Sequence, residues 1–161
     1  MEHVERLCAV LSEETALCDA LARVLRDQQA AVVRLRADAI VSCLAERESL
    51  QAQLLAIARE RRESVRAAAA EHGATTTSAV ELLPLLPAKP QAALREKLRR
   101  LRAALLETRA LERETARLVG DGLGTVNELL RALRAFVPGA RYGADAAIAT
   151  PDAPERVDRH V

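Results

Sequence analysis

A run of more than thirty residues, from about Val4 to Arg36, contains neither glycine nor proline and places apolar residues at alternating steps of four and three. That spacing is the period of an amphipathic helix, and no strand can keep it on one face. Starting at Leu7, the row reads Leu11, Glu14, Cys18, Leu21, Leu25, Gln28, Val32 and Leu35. Val10, Leu17, Val24 and Ala31 form a flanking row at steps of seven. Together the rows make a stripe wider than a two-stranded coiled-coil seam, so the helix needs more than one neighbour. Glu14 and Gln28 interrupt the stripe. They are read as packing their alkyl stems while their heads reach water, with a register-setting role as the sharper alternative.

A second helix is expected over 39–71, with Asp38 as its cap and Gly73 just past its end. Its row is Cys43, Arg47, Leu50, Leu54, Ile57, Arg61, Ser64 and Ala68. The run Arg59 to Glu63 reads as solvated mixed charge. The stretch 74–90 is a break, with a short helical piece over 78–86 that Ser78 and Glu81 would cap reciprocally. Leu82, Leu83, Leu85 and Leu86 are expected to plug one end of the hairpin.

The last helix is expected over 90–137, with proline at its first position. Its row runs Leu94, Leu98, Leu101, Leu105, Thr108, Glu112, Ala116, Val119, Leu123, Val126, Leu130, Leu133 and Val137, with one stutter at Glu112. Gly120, Gly122 and Gly124 each cost about 1 kcal/mol relative to alanine and mark a bend or weak point. The fold class is therefore all-α, an elongated antiparallel hairpin or three-helix coiled-coil bundle over 1–137. The tail 138–161, rich in glycine and proline, is expected to be disordered.

Phe136 and Tyr142 are the only aromatics and there is no tryptophan. This favours helices packed along narrow Leu/Ala/Val seams and removes the stacking platforms that single-strand nucleic-acid binders use. Lys and Arg number 24 against 23 Asp and Glu, so no net field draws nucleic acid or an acidic membrane. Arg95, Lys97, Arg99, Arg100 and Arg102 lie mainly between seam leucines and read as a solvated face that pairs with acids on neighbouring helices. Cys8, Cys18 and Cys43 are odd in number and lack ligand spacing, which predicts structural thiols rather than disulfides or zinc. Nucleotide-binding and hydrolase motifs are missing and no carboxylate pair stands out, so the chain is expected to be neither enzyme nor cofactor protein. The N-terminal segment predicts no signal peptide and no stretch predicts stable membrane insertion, giving a cytoplasmic expectation.

Several features in order resemble the FlgN family of flagellar export chaperones. They are the acidic, Leu-rich opening with Glu13-Glu14, the Arg-rich end of the second helix, and the break ending in Leu85-Leu86-Pro87. The most specific is Leu118-Val119 followed by Gly122-Leu-Gly-Thr-Val-Asn-Glu-Leu-Leu130, with Tyr142-Gly-Ala-Asp145 beyond a short linker. The resemblance implies a cytosolic protein that binds the C-terminal segments of hook-associated proteins at the hook–filament junction. It further implies that the chain prevents their premature association and delivers them to the flagellar export gate. Leu123, Val126, Leu130, Leu133, Phe136 and Tyr142 are the residues suited to such a partner-binding face. A generic coiled-coil scaffold or adaptor, homodimeric or not, stays open as the alternative, and the oligomeric state is not readable.

Overall fold

The computed structural model describes residues 2–136, 141–142 and 148–149. The chain is all-α in class: α1 (Glu2–Val33), α2 (Ala37–Glu71), a single turn α3 (Ala79–Leu82) running into a 3-10 turn (Leu83–Leu85), and α4 (Ala88–Phe136). It divides into two compact units, Met1–Val119 and Gly120–Val161.

The first unit is a helical bundle. Arg61 to Glu14, Arg6 to Glu60 and His3 to Glu71 set α2 antiparallel to α1. Thr108 meets the Cys18 carbonyl and Thr115 meets Gln29, so this part of α4 runs parallel to α1. The core gathers Leu7, Leu11 and Cys18 from α1, Val65 and Ala68 from α2, and Leu94 and Leu101 from α4. A second cluster continues it through Leu21, Val24, Leu25 and Leu50. Narrow alanine- and leucine-lined seams of this kind let helices approach closely without aromatics.

The break after α2 returns the chain to the end of the bundle where α1 begins. Leu82 and Leu86 are buried there beside Val4 and Leu94, as a plug. Leu83 is half-buried and packs against the same cluster, whereas Leu85 is exposed, so three of the four expected leucines form the plug. Pro84 is accommodated because the segment tightens into a 3-10 turn rather than continuing as α-helix.

Helix ends differ from the sequence expectation in physically specific ways. α2 stops in a Schellman motif: Gly73 has φ +67°, its N–H donates to the Ala70 carbonyl, and the Ala74 N–H donates to Ala69. α1 stops in the same motif three residues earlier than expected. There Leu35 takes the left-handed position at φ 53°, with its N–H on Val32 and the Arg36 N–H on Ala31. Leu35 is consequently 87% exposed and is not part of the seam. Asp38 is not the cap of α2. The helix begins at Ala37 without a side-chain cap, and Asp38 sits in its first turn, where its charge suits the helix dipole. The expected reciprocal cap of Ser78 and Glu81 also shifts. Thr76 takes the role, its hydroxyl accepting from the Ser78 N–H and donating to the Glu81 carboxylate.

Along α4 the buried positions Leu94, Leu101, Thr108 and Thr115 keep a strict seven-residue repeat. The expected stutter moved the row to Ala116, but Ala116 is exposed. Thr115 can occupy the seam because its hydroxyl donates to the Leu111 carbonyl and accepts from Gln29 Nε2. α4 then continues through all three glycines to Phe136. In the second unit, Arg141–Tyr142 and Ile148–Ala149 form a two-residue antiparallel pair, the β feature of the described residues. The rest of the tail expected to be disordered lies outside the described residues.

Candidate partner-binding site

Beyond Gly120, α4 carries large apolar side chains that face solvent. Leu123 is 61% exposed, Val126 52%, Leu130 41% and Leu133 60%. They succeed one another at steps of three, four and three, which at about 100° per residue keeps them within one narrow stripe of the helix. Leu129, 60% exposed, widens that stripe on one flank. It was missed in the sequence because it falls between the fours and threes of the row, although its size and position beside Val126 and Leu133 were legible. Phe136 closes the helix and Tyr142 pairs through its backbone with Ile148. Their side chains lie outside the described residues.

Of the charged residues beyond Gly120, Arg134 borders the stripe, whereas Asp121 and Glu128 fall on the opposite side of the helix at about 100° per residue. Recognition there has to come from apolar burial rather than from a field. The three glycines before and within the stripe have nothing within 4 Å of where a Cβ would stand. No close approach requires them, so what they supply is a helix held together less strongly than the bundle.

The polar groups of the first unit serve packing. Glu14 is 4% exposed and receives one Arg61 guanidinium nitrogen on both oxygens, at 2.8 and 2.9 Å. Burial pushes its carboxyl above the usual carboxylate range, and Arg61 pulls in the opposite direction. Its head does not reach water, and Gln28 is equally buried with its amide oxygen unbonded. Both therefore overturn the reading of stems packed under wet heads. The Cys18 thiol is pushed up to about 11, by burial first and by the nearby Glu14 and Asp19 carboxylates next. Burial also raises Cys8 and Cys43. Thiols held protonated in this way make poor ligands and nucleophiles. Among the described residues no group of three or more His, Cys, Asp or Glu is placed to hold a metal ion. No described helix is long and apolar enough to cross a membrane.

The arginine run of α4 behaves differently from the expectation of pairing with neighbouring helices. Arg99 and Arg100 pair instead with Glu96 on their own helix, and hydrogen bonds from both hold the Glu96 carboxyl down to about 2.

No curated protein and no solved structure matches the chain. The family model described as FlgN protein matches residues 1–150, a span that takes in the whole bundle, the exposed stripe and the paired segment at Tyr142. The chain therefore belongs to the FlgN family, a family of flagellar export chaperones.

Proposed function

We propose that this chain holds the C-terminal segments of hook-associated proteins in the cytoplasm before export, keeps them from associating prematurely, and passes them to the export gate. The observation that carries the reading is the exposed stripe of Leu123, Val126, Leu130 and Leu133 on a helix whose earlier turns bury their apolar side chains in the bundle. An amphipathic partner segment laid along it would remove several leucine-sized side chains from water, each worth about 1.5–3 kcal/mol when fully buried. Ordering the partner offsets part of that gain, which suits a complex that must later be released. Phe136 and Tyr142 belong to the proposed site on the sequence pattern alone. The test is a titration of the full-length chain with the C-terminal fragment of a hook-associated protein. Leu130→Asp should weaken capture roughly fivefold or more while leaving the circular dichroism spectrum unchanged. Undiminished capture would remove the stripe from the site. Sedimentation showing that the stripe closes on a second copy would favour the adaptor reading instead.

A further inference from the structure

The first unit contains a groove that the proposed function does not use. It has a volume of about 620 Å³ and lies between α3 with its 3-10 turn and the α4 segment from Arg95 to Arg109. Its floor is apolar: Leu101 is buried, Leu98 and Leu105 are half-buried, and Val80 and Leu106 are 62% and 57% exposed. Four arginines line it, Arg95, Arg99, Arg102 and Arg109, and no carboxylate does. With Leu106 they form a row at steps of four, three, four and three. The row therefore runs along one side of the helix, parallel to the buried seam. Arg99 is engaged by Glu96, whereas Arg95, Arg102 and Arg109 have no ion-pair partner among the described residues. The nearby acids of α4 are already committed, Glu107 to Arg26 and Glu112 to Arg47. A neighbouring groove sharing Val80 and Leu98 adds Arg62 to the same side.

We propose that this groove is a second docking surface, which takes an acidic amphipathic helix from a partner protein. The occupant follows from the charge and the floor together. The α4 side of the groove offers an apolar surface about four helical turns long, which fits the i, i+3/i+4, i+7 face of a helix. Three uncompensated guanidinium groups along its edge fit carboxylates flanking that face, in forked pairs that lysine could not reproduce. Nucleic acid fits less well, because the groove has no aromatic side chain for bases to stack on and the floor is hydrocarbon. A second copy of this chain fits less well too. Its exposed apolar stripe beyond Gly120 is bordered by Arg134, and its acids Asp121 and Glu128 fall on the opposite side of the helix, so it offers the groove no flanking carboxylates.

The probe is a fluorescein-labelled synthetic helix of about 18 residues, with leucines at i, i+3, i+4 and i+7 repeats and glutamates on both flanks. A second peptide replaces every glutamate with lysine. The full-length chain should bind the acidic peptide and not the basic one, with affinity falling as salt rises. Arg95→Glu/Arg102→Glu/Arg109→Glu should weaken binding roughly tenfold or more, and Leu106→Asp should also weaken it. Leu130→Asp should leave it unchanged, which separates this surface from the proposed capture stripe. The milder Arg95→Gln/Arg102→Gln/Arg109→Gln variant should give a smaller loss in the same direction. It decides the matter if charge reversal disturbs the circular dichroism spectrum. Equal binding of both peptides, no binding of the acidic one, or unchanged affinity in both arginine variants overturns the proposal. So does tighter binding of a single-stranded oligonucleotide than of the acidic peptide.

Discussion

Arg61 on α2 donates through a single guanidinium nitrogen to both carboxylate oxygens of Glu14 on α1, across the seam of the bundle. The carboxylate is almost fully buried, while the arginine side chain keeps 30% of its surface in solvent. The pair is thus a buried anion served by a cation that retains part of its hydration. Such a pair adds little net stability, but breaking it is expensive. It also fixes register. Slipping the helices by one heptad would set Glu14 against Leu54 or Ala68 and leave a buried charge without a partner.

Arg61→Ala should destabilise the chain by about 2–3 kcal/mol at pH 7, and by less at pH 4. The sign follows from Glu14, whose folded carboxyl is raised by burial. The folded state then takes up a proton before the unfolded state does. The stability contribution of Glu14 is full below the ordinary carboxylate range and declines as pH rises through the raised value. Removing Arg61 raises that carboxyl further and widens the window. Urea denaturation of both proteins at the two pH values checks this, and a deficit independent of pH would show that the lost stability is packing alone.

Leu35→Gly should stabilise the protein by about 1 kcal/mol, because leucine holds a left-handed conformation there that costs it about that much. The side chain is almost fully exposed, so little burial is lost. A thermal melt higher by a few degrees is the expected reading, and a lower one would mean that the Leu35 side chain contributes a contact worth more than the strain.

Gly120→Ala/Gly122→Ala/Gly124→Ala should strengthen the helix by up to about 1 kcal/mol per site, since nothing lies within 4 Å of the added Cβ atoms. Amide exchange around these positions should slow, while exchange in α1 stays the same. Accelerated exchange near Gly122 would show that the glycines meet a steric need.

Leu101→Asp and Leu130→Asp should part company. Leu101 is 4% exposed in the bundle core, and a buried carboxylate there should abolish cooperative unfolding. Leu130 is exposed, so its aspartate variant should melt with the wild type. A collapse of stability in both variants would assign the distal stripe to a core.

Cys18 should be the slowest of the three thiols to react with a chromogenic disulfide reagent. It is 1% exposed and its thiol is pushed up to about 11. Quantifying each labelled cysteine by mass spectrometry gives the order, and early labelling of Cys18 would mean that the α1–α4 seam opens readily.

The helices and most of their buried faces were legible because a period of 3.5 to 3.6 residues leaves a dense record in leucine and alanine. Leu7, Leu11, Leu21 and Leu25 are buried where the row places them. What escaped was local or pairwise. Leu35 continued the apolar register, and nothing in its type announces a left-handed cap that glycine usually fills. Glu14 and Arg61 each sat on a seam as an isolated interruption, and only their juxtaposition shows that they answer one another. Arg47 and Glu112, seam interruptions of α2 and α4 that lie 3.7 Å apart, repeat the pattern. Polar residues on opposed seams were thus the available signal. The candidate site was legible as a register that continues past three glycines, but its exposure was not, because exposure depends on where neighbouring helices end.

The parallel placement of α1 and the first part of α4 has a consequence for the order of assembly. α1 and α2 join through a three-residue turn, Arg34 to Arg36, so their hairpin closes at small entropic cost. The bonds that fasten α4 span 86 residues between Gln29 and Thr115 and 90 between Cys18 and Thr108. During synthesis the hairpin emerges complete while its third neighbour is still missing, and Leu7, Leu11 and Cys18 wait half-covered until Leu94 and Leu101 arrive. Docking of α4 is then the late event, and pulse-labelled amide exchange should protect α1 and α2 ahead of residues 94–115.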